Sequence, residues 1–248
     1  MPHARRPCVA RPWPGSSPSA APARPRRVFR SPCHAWSSVG SWGSATVKFR
    51  ANSEPLGSPW WPAGGRAARR TYGPQYNRRV IRRILRLGDE LLVRPAVDVE
   101  EITADTQALI DDMVETMYAA QGIGLAASQV GVAKRIFVVD PSGGHDANAL
   151  LVMVNPEWIA REGTQREDEG CLSIPGFSAV VTRPARAVVR GLDRDGTSRE
   201  AEGTGVLARA FAHEMDHLDG SLFLNRLSGI RRELIARKIK RLRRAGRW

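Results

Sequence analysis

The run His213-Glu214-Met215-Asp216-His217 concentrates two imidazoles and a carboxylate within five residues. On a helix, side chains four positions apart share a face, so both imidazoles can reach one ion. Glu214 follows the first histidine by one position and can lean over a water activated by that ion, where it would serve as general base. A surface helix that merely carries two histidines is the competing reading. Val206, Leu207 and Phe211 place the flanking turns in a core and count against it.

Two helical histidines need a third protein ligand if one position is to stay open for catalysis. His217-Leu218-Asp219-Gly220 begins the metzincin continuation, but Phe223 stands where that pattern requires its third histidine. Two ligands remain. Glu233 is a downstream carboxylate on a basic helix. Cys171 lies in Glu169-Gly170-Cys171-Leu172-Ser173, just before a turn at Pro175-Gly176, and without an ion it would read as a small buried hydrophobe. A third segment, Gly122-Ile123-Gly124-Leu125-Ala126-Ala127-Ser128-Gln129, formally matches the dinucleotide fingerprint. That fingerprint must follow a strand and open a helix, whereas this one follows a helix and leads toward a strand, which excludes it. Its glycines would instead let backbone approach an extended ligand, with the Gln129 amide polarising an oxygen. A helix C-cap with close packing of small residues is the bland alternative.

The elements that must position these groups follow from apolar spacing. Leu109, Ile110, Met113, Val114 and Met117 predict an amphipathic helix over 105–120, capped by Thr103 or Asp105 and ended by Gly122. Short β-rich runs follow at 135–140, 150–156, 179–183 and 187–192, and Asp193-Arg194-Asp195-Gly196 reads as a hairpin turn. Helical spacing returns over 204–218, and Ser228 is expected to cap a final helix through Leu242. The order predicts an α+β fold: antiparallel β-sheets packed around a central metal-binding helix that carries the two histidines, with a C-terminal helix.

Gly122–Gln129, Glu169–Ser173 and His213–His217, in that order, resemble the three signature motifs of the peptide deformylases. The similarity extends over roughly residues 80 to 245 and includes Ile84-Leu85-Arg86-Leu87-Gly88-Asp89. The resemblance implies metal ligands at Cys171, His213 and His217 and an acid–base at Glu214. It implies oxyanion donors at the Gln129 side chain and the Leu172 backbone N–H. The formyl-methionyl peptide is then expected as an added strand, with Gly122, Ile123, Gly124 and Gly170 in contact with it. It also implies a pairing of Asp216 with Arg183. The chemistry is consistent: a thiolate and two neutral imidazoles leave a divalent ion with a net charge of about +1. The ion lowers the pKa of a water, Glu214 takes the proton as the formyl carbon is attacked, and formate leaves a free amine. Ligand softness allows zinc, iron, nickel or cobalt, and the resemblance implies Fe2+ as the natural ion.

Composition bounds the remainder. Of 38 Lys/Arg and 25 Asp/Glu, residues 1–75 hold 12 and one, so the formal charge of +13 is mostly theirs and residues 76–248 are left at +2. A near-neutral domain gives no charge-based warrant for nucleic-acid binding. Residues 1–77 are rich in Arg, Pro, Ala, Ser and Gly without apolar periodicity and are expected to be disordered. They read either as upstream sequence before a non-ATG start near Val80, the favoured reading, or as an organellar transit peptide. Residues 78–248 form the expected catalytic domain. It has one cysteine, Cys171, which fits a reducing compartment. No apolar run approaches a bilayer span, so no membrane partner is expected; the resemblance implies a bacterial-type monomer in the cytoplasm, organellar if the leader is a transit peptide. Nine Lys/Arg between 231 and 247 are either a solvated helix face or, as the resemblance implies, a contact to the ribosome. His145 reads as a loop residue. The competing functions are a zinc metallopeptidase using Glu233 as ligand and a ribosome-binding protein with a structural metal.

Overall fold

In the computed structural model, the described residues are 80–248 apart from Ala147, together with the backbone of a short strand, β1 (Lys48–Arg50). The expectation of disorder over the rest of 1–77 lies outside them. After β1 come α1 (Ala104–Ala119), β2 (Gly124–Ala126), β3 (Ile136–Val139), β4 (Leu151–Glu162), β5 (Gln165–Gly170), β6 (Ser178–Arg183), β7 (Arg186–Leu192), β8 (Ser198–Thr204), α2 (Gly205–Leu218) and α3 (Gly229–Arg244). Six strands form an antiparallel sheet in the order β1-β8-β7-β4-β3-β2, and β5 pairs with β6 in a separate two-stranded sheet. The expected α+β architecture is present, with α2 at its centre.

Helix α2 is where it is because it has almost no wet face. Its residues Leu207 to Leu218 are all buried, so only its first turn meets solvent. Leu207, Ala210, Phe211, Met215 and Leu218 pack on Phe137, Val139, Met153, Val189 and Ala201 of the large sheet. The other face of that sheet takes α1 through Leu109, Ile110, Met113 and Met117. A third cluster joins Cys171, Ile174 and Val181 to Phe223, Leu227 and Ile239, which ties α3 to the turn after β5. The strands β5 and β8 carry mostly polar residues and were not expected from apolar pattern. They form because their partners β6 and β7 supply the apolar face and cross-strand arginine–glutamate pairs such as Arg186–Glu202 and Arg190–Glu200.

The end of α1 differs from expectation in an informative way. Thr103 caps the start, its hydroxyl accepting from Thr106 N. At the other end the left-handed residue is Gln121, at φ 56°, and not Gly122. Gln121 N–H donates to Tyr118 O and Gly122 N–H to Met117 O, the two bonds of a Schellman turn. Glycine one position later lets the chain pack closely, because a Cβ on Gly122 would stand 2.8 Å from Leu172 Cδ1 and force that side chain to shift. Ser228 holds the N-cap position of α3, but its side chain makes no capping bond.

Candidate metal centre and peptide edge

Three segments meet at α2. The helix brings His213 and His217 one turn apart, with ring centroids separated by 5.0 Å. The turn after β5 brings Cys171, whose Sγ lies 3.2 Å from His217 Nε2. The candidate ligand atoms of Cys171, His213 and His217 lie within 4.8 Å of one another, and all three side chains are buried. Ligand bonds of about 2.0–2.3 Å in a tetrahedral arrangement bring donor atoms to about 3.5 Å of one another, so the three residues fit a small divalent ion. Glu233, the other candidate ligand, is exposed on α3 and pairs with Arg237 at 3.0 Å. A carboxylate already wet and paired on that surface does not complete this set, which removes the metallopeptidase reading.

Of the three candidate ligands, His213 is held from behind by hydrogen bonding, whereas His217 Nδ1 is buried without a hydrogen-bond partner. His213 Nδ1 donates to Glu169 Oε1 at 2.6 Å, which fixes the tautomer that turns Nε2 toward the ion site. Glu169 is fully buried and accepts two bonds from Arg183, from Nε at 2.9 Å and Nη2 at 2.6 Å. Arg183 Nη1 also donates to Asp216 Oδ2 at 2.7 Å, so the expected Asp216–Arg183 pair is present. Arg226 closes the chain on the outer side of Asp216. Glu169 and Arg226 were not singled out from the sequence. Glu169 carried a usable signal: it precedes Cys171 by two positions, and in an otherwise polar strand an acid facing inward must have a fixed partner.

Electrostatics follow from this burial. Desolvation would raise the Glu169 carboxyl, but Arg183 and His213 overcome it and hold it at about 2. Desolvation would likewise discharge His213, yet Glu169 and Cys171 hold its pKa well above the ordinary histidine value. His217 goes the other way, lowered by burial and by His213 beside it. The pocket therefore favours one positive charge among these side chains, which a divalent ion would supply while displacing the His213 proton. Glu214 is pushed up to about 7, chiefly by burial, and its Oε2 is buried without a hydrogen-bond partner. Its other oxygen faces Gly124, where any Cβ would collide with it.

Beside the ion site lies Gln129. Its Oε1 accepts from Ala126 N at 2.8 Å, which turns the amide nitrogen toward Ser173 Oγ at 3.2 Å and Cys171 Sγ at 3.7 Å. Among the described residues strand β2 pairs with β3 alone, which leaves its other edge open. Ile123 O accepts from Asp140 N across that ladder, so alternation turns the N–H and C=O of Gly124 to the open edge. Gly170, at the end of β5, is buried opposite Ser178. His145 is exposed in a loop, away from these groups.

A buried cysteine and two imidazoles with an unpartnered carboxylate, set beside the free edge of β2, form a candidate metallohydrolase centre suited to an extended substrate. The model of the polypeptide deformylase family matches residues 81–233, and the chain belongs to that family. It is 46% identical over 169 residues to a peptide deformylase of Acidobacterium capsulatum, spanning 68% of this chain and 99% of that protein. A peptide deformylase of Thermodesulfovibrio yellowstonii is 51% identical over 152 residues, 61% of this chain and 92% of the relative. The crystal structure of a peptide deformylase from Legionella pneumophila superposes with a TM-score of 0.64 at 42% identity, covering 67% of this chain and 98% of that one.

Proposed function

We infer that this protein is a metal-dependent hydrolase that removes the N-formyl group from the formyl-methionine of nascent polypeptides. The observation that carries the reading is the convergence of Cys171, His213 and His217 within 4.8 Å, with the unpartnered Glu214 carboxylate facing Gly124. Cys171, His213 and His217 hold the ion. When bound, it acidifies a water and draws charge from the formyl oxygen. Glu214 takes the water's proton as the water oxygen bonds to the formyl carbon. It then delivers that proton to the departing nitrogen, so formate and a free α-amino group are released. The Gln129 amide and the Leu172 backbone N–H bind the developing oxyanion. Anchoring of Gln129 Oε1 by Ala126 supports the first of these roles, because it leaves only N–H groups to face the substrate.

The peptide lies along the open side of β2, adding a strand beside Gly122, Ile123 and Gly124 and passing Gly170 on the opposite wall. Fe2+ is the proposed ion; zinc, nickel and cobalt suit the same donors. Residues 78–248 are the catalytic domain, acting as a monomer in the cytoplasm. Among the described residues no helix is long and apolar enough to cross a membrane. Helix α3 turns Ile235 and Ile239 to the body and leaves most of its arginines and lysines exposed, which supports ribosome contact through that face. Unchanged ribosome co-sedimentation after truncation at Ser228 would argue against it.

The decisive experiment measures formate release from a formyl-Met peptide by anaerobically prepared protein of known metal content. Turnover with one ion bound is expected, and iron-loaded protein that releases no formate would sink the reading. Glu214→Ala should keep the ion and lose about 10²–10⁴ of the rate.

A further inference from the structure

A recess of about 580 Å3 opens where the peptide edge ends, and its charge is one-sided. Its lining includes Arg82, Arg83 and Arg86, with no acidic side chain among the described residues that line it. Arg82 is committed to Asp112 at 2.9 Å. Arg83 is exposed, and Arg86 is exposed with its guanidinium 6.0 Å from the Trp248 ring centroid. The apolar wall is fixed: Trp248 Nε1 donates to Leu87 O at 3.3 Å, and its ring meets Phe177 edge-on. Ile81, another lining residue, remains 67% exposed.

The position of this recess relative to the edge is set by Gly124, Gly122, Gln121 and Leu172. Gly124 faces Glu214, Gly122 packs on Leu172, and Leu172 and Gln121 themselves line the recess. A peptide beginning at Glu214 cannot run the other way. Leu125 and Ala126 are fully buried there, and the Ala126 N–H is already taken by Gln129. Gln121, three residues before Gly124, lies in the turn that ends α1 and lines the recess, so substrate residues beyond the first two are carried toward the arginines that line it.

We propose that this recess is a downstream substrate subsite that selects acidic side chains at the third and fourth positions, read by Arg83 and Arg86. The proposal rests on the deformylase reading above. A carboxylate there gains two cations that have no carboxylate partner among the described residues, whereas a lysine or arginine meets like charge. Partial exposure limits the effect and makes it depend on salt.

The test compares kcat/KM for formyl-Met-Ala peptides that carry Asp, Ala or Lys at positions three and four. The Asp peptide should exceed the Lys peptide by about three- to tenfold at low ionic strength, with the ratio shrinking as salt rises. In the Arg83→Glu, Arg86→Glu double variant the order should invert, and in the Arg83→Gln, Arg86→Gln variant it should level. Equal kcat/KM for Asp and Lys peptides in the unaltered protein, with the Ala peptide turned over, overturns the subsite and leaves the deformylase reading intact. An acidic preference that survives both double variants overturns its assignment to these arginines. Failure to release formate from any of the peptides removes the deformylase reading and the subsite with it.

Discussion

Two sets of arginine–carboxylate pairs in this molecule look alike on distance and differ in what they do. Behind the metal centre, Arg183 joins Glu169 and Asp216 at 2.6 and 2.7 Å with all three side chains nearly inaccessible. Across β7 and β8, Arg186 meets Glu202 at 3.0 Å and Arg190 meets Glu200 at 2.5 Å, at side chains open to water. The surface pairs trade hydration for contact and gain little. The buried set has no water to fall back on, so each member is obligatory once the others are present. Its yield is orientation: the Glu169 carboxylate that Arg183 holds also sets the His213 tautomer, which determines the ring nitrogen that His213 would offer to an ion.

The contrast can be broken most forcefully at Arg183. Arg183→Met should destabilise the fold by about 3–5 kcal/mol in urea unfolding, because Glu169 and Asp216 are left buried without a counter-charge. If it cost no more than a surface substitution, the buried set would have no special standing. Next in size, Glu169→Gln should weaken metal affinity by about 10–100-fold in a competition assay while the chain stays folded. A ratio near unity would mean that His213 is oriented by packing alone.

Acid sharpens the same contrast. In chelator-treated protein Glu169 is held at about 2 against an ordinary 4.5. A depressed pKa means that its contribution to stability is complete above about pH 4.5 and is lost as pH falls toward about 2. Glu169→Gln should flatten that limb of the stability profile, and an identical slope in both proteins would count against the buried pairing. Smaller still is Gln121→Gly, which relieves a left-handed residue at the end of α1 and should stabilise by up to about 1 kcal/mol in thermal melts. At the bottom of the scale, Arg190→Ala should leave the unfolding midpoint where it is.

Much of the fold was legible where apolar residues recur. The spacings through Leu109–Met117 and Val206–Leu218 placed α1 and α2 to within a residue or two, because a buried helix face must repeat with the helical period. The strands β5 and β8 were not legible. Runs such as Gln-Arg-Glu-Asp-Glu-Gly contain no apolar residue, and their pairing is decided by partners distant in sequence. At the centre, the histidine spacing was readable because both ligands and Glu214 sit within one helical turn. The choice of Cys171 over Glu233 came from the resemblance to a family, not from spacing.

By itself, then, the sequence determined the local constellation: two histidines one turn apart, a carboxylate between them, a lone cysteine in the domain, and glycines where backbone must come close. Tertiary structure decided what those residues touch. It put Cys171 3.2 Å from His217 and left Glu233 in water, backed His213 with Glu169, set the Gln129 amide nitrogen against Ser173, and left the β2 edge leading toward a basic recess. The physical reason is range. Helical and strand periods act over a few residues, whereas the ligand set and its counter-charges are made by residues farther apart, from the 14 positions between Glu169 and Arg183 to the 46 between Cys171 and His217, that only packing brings together.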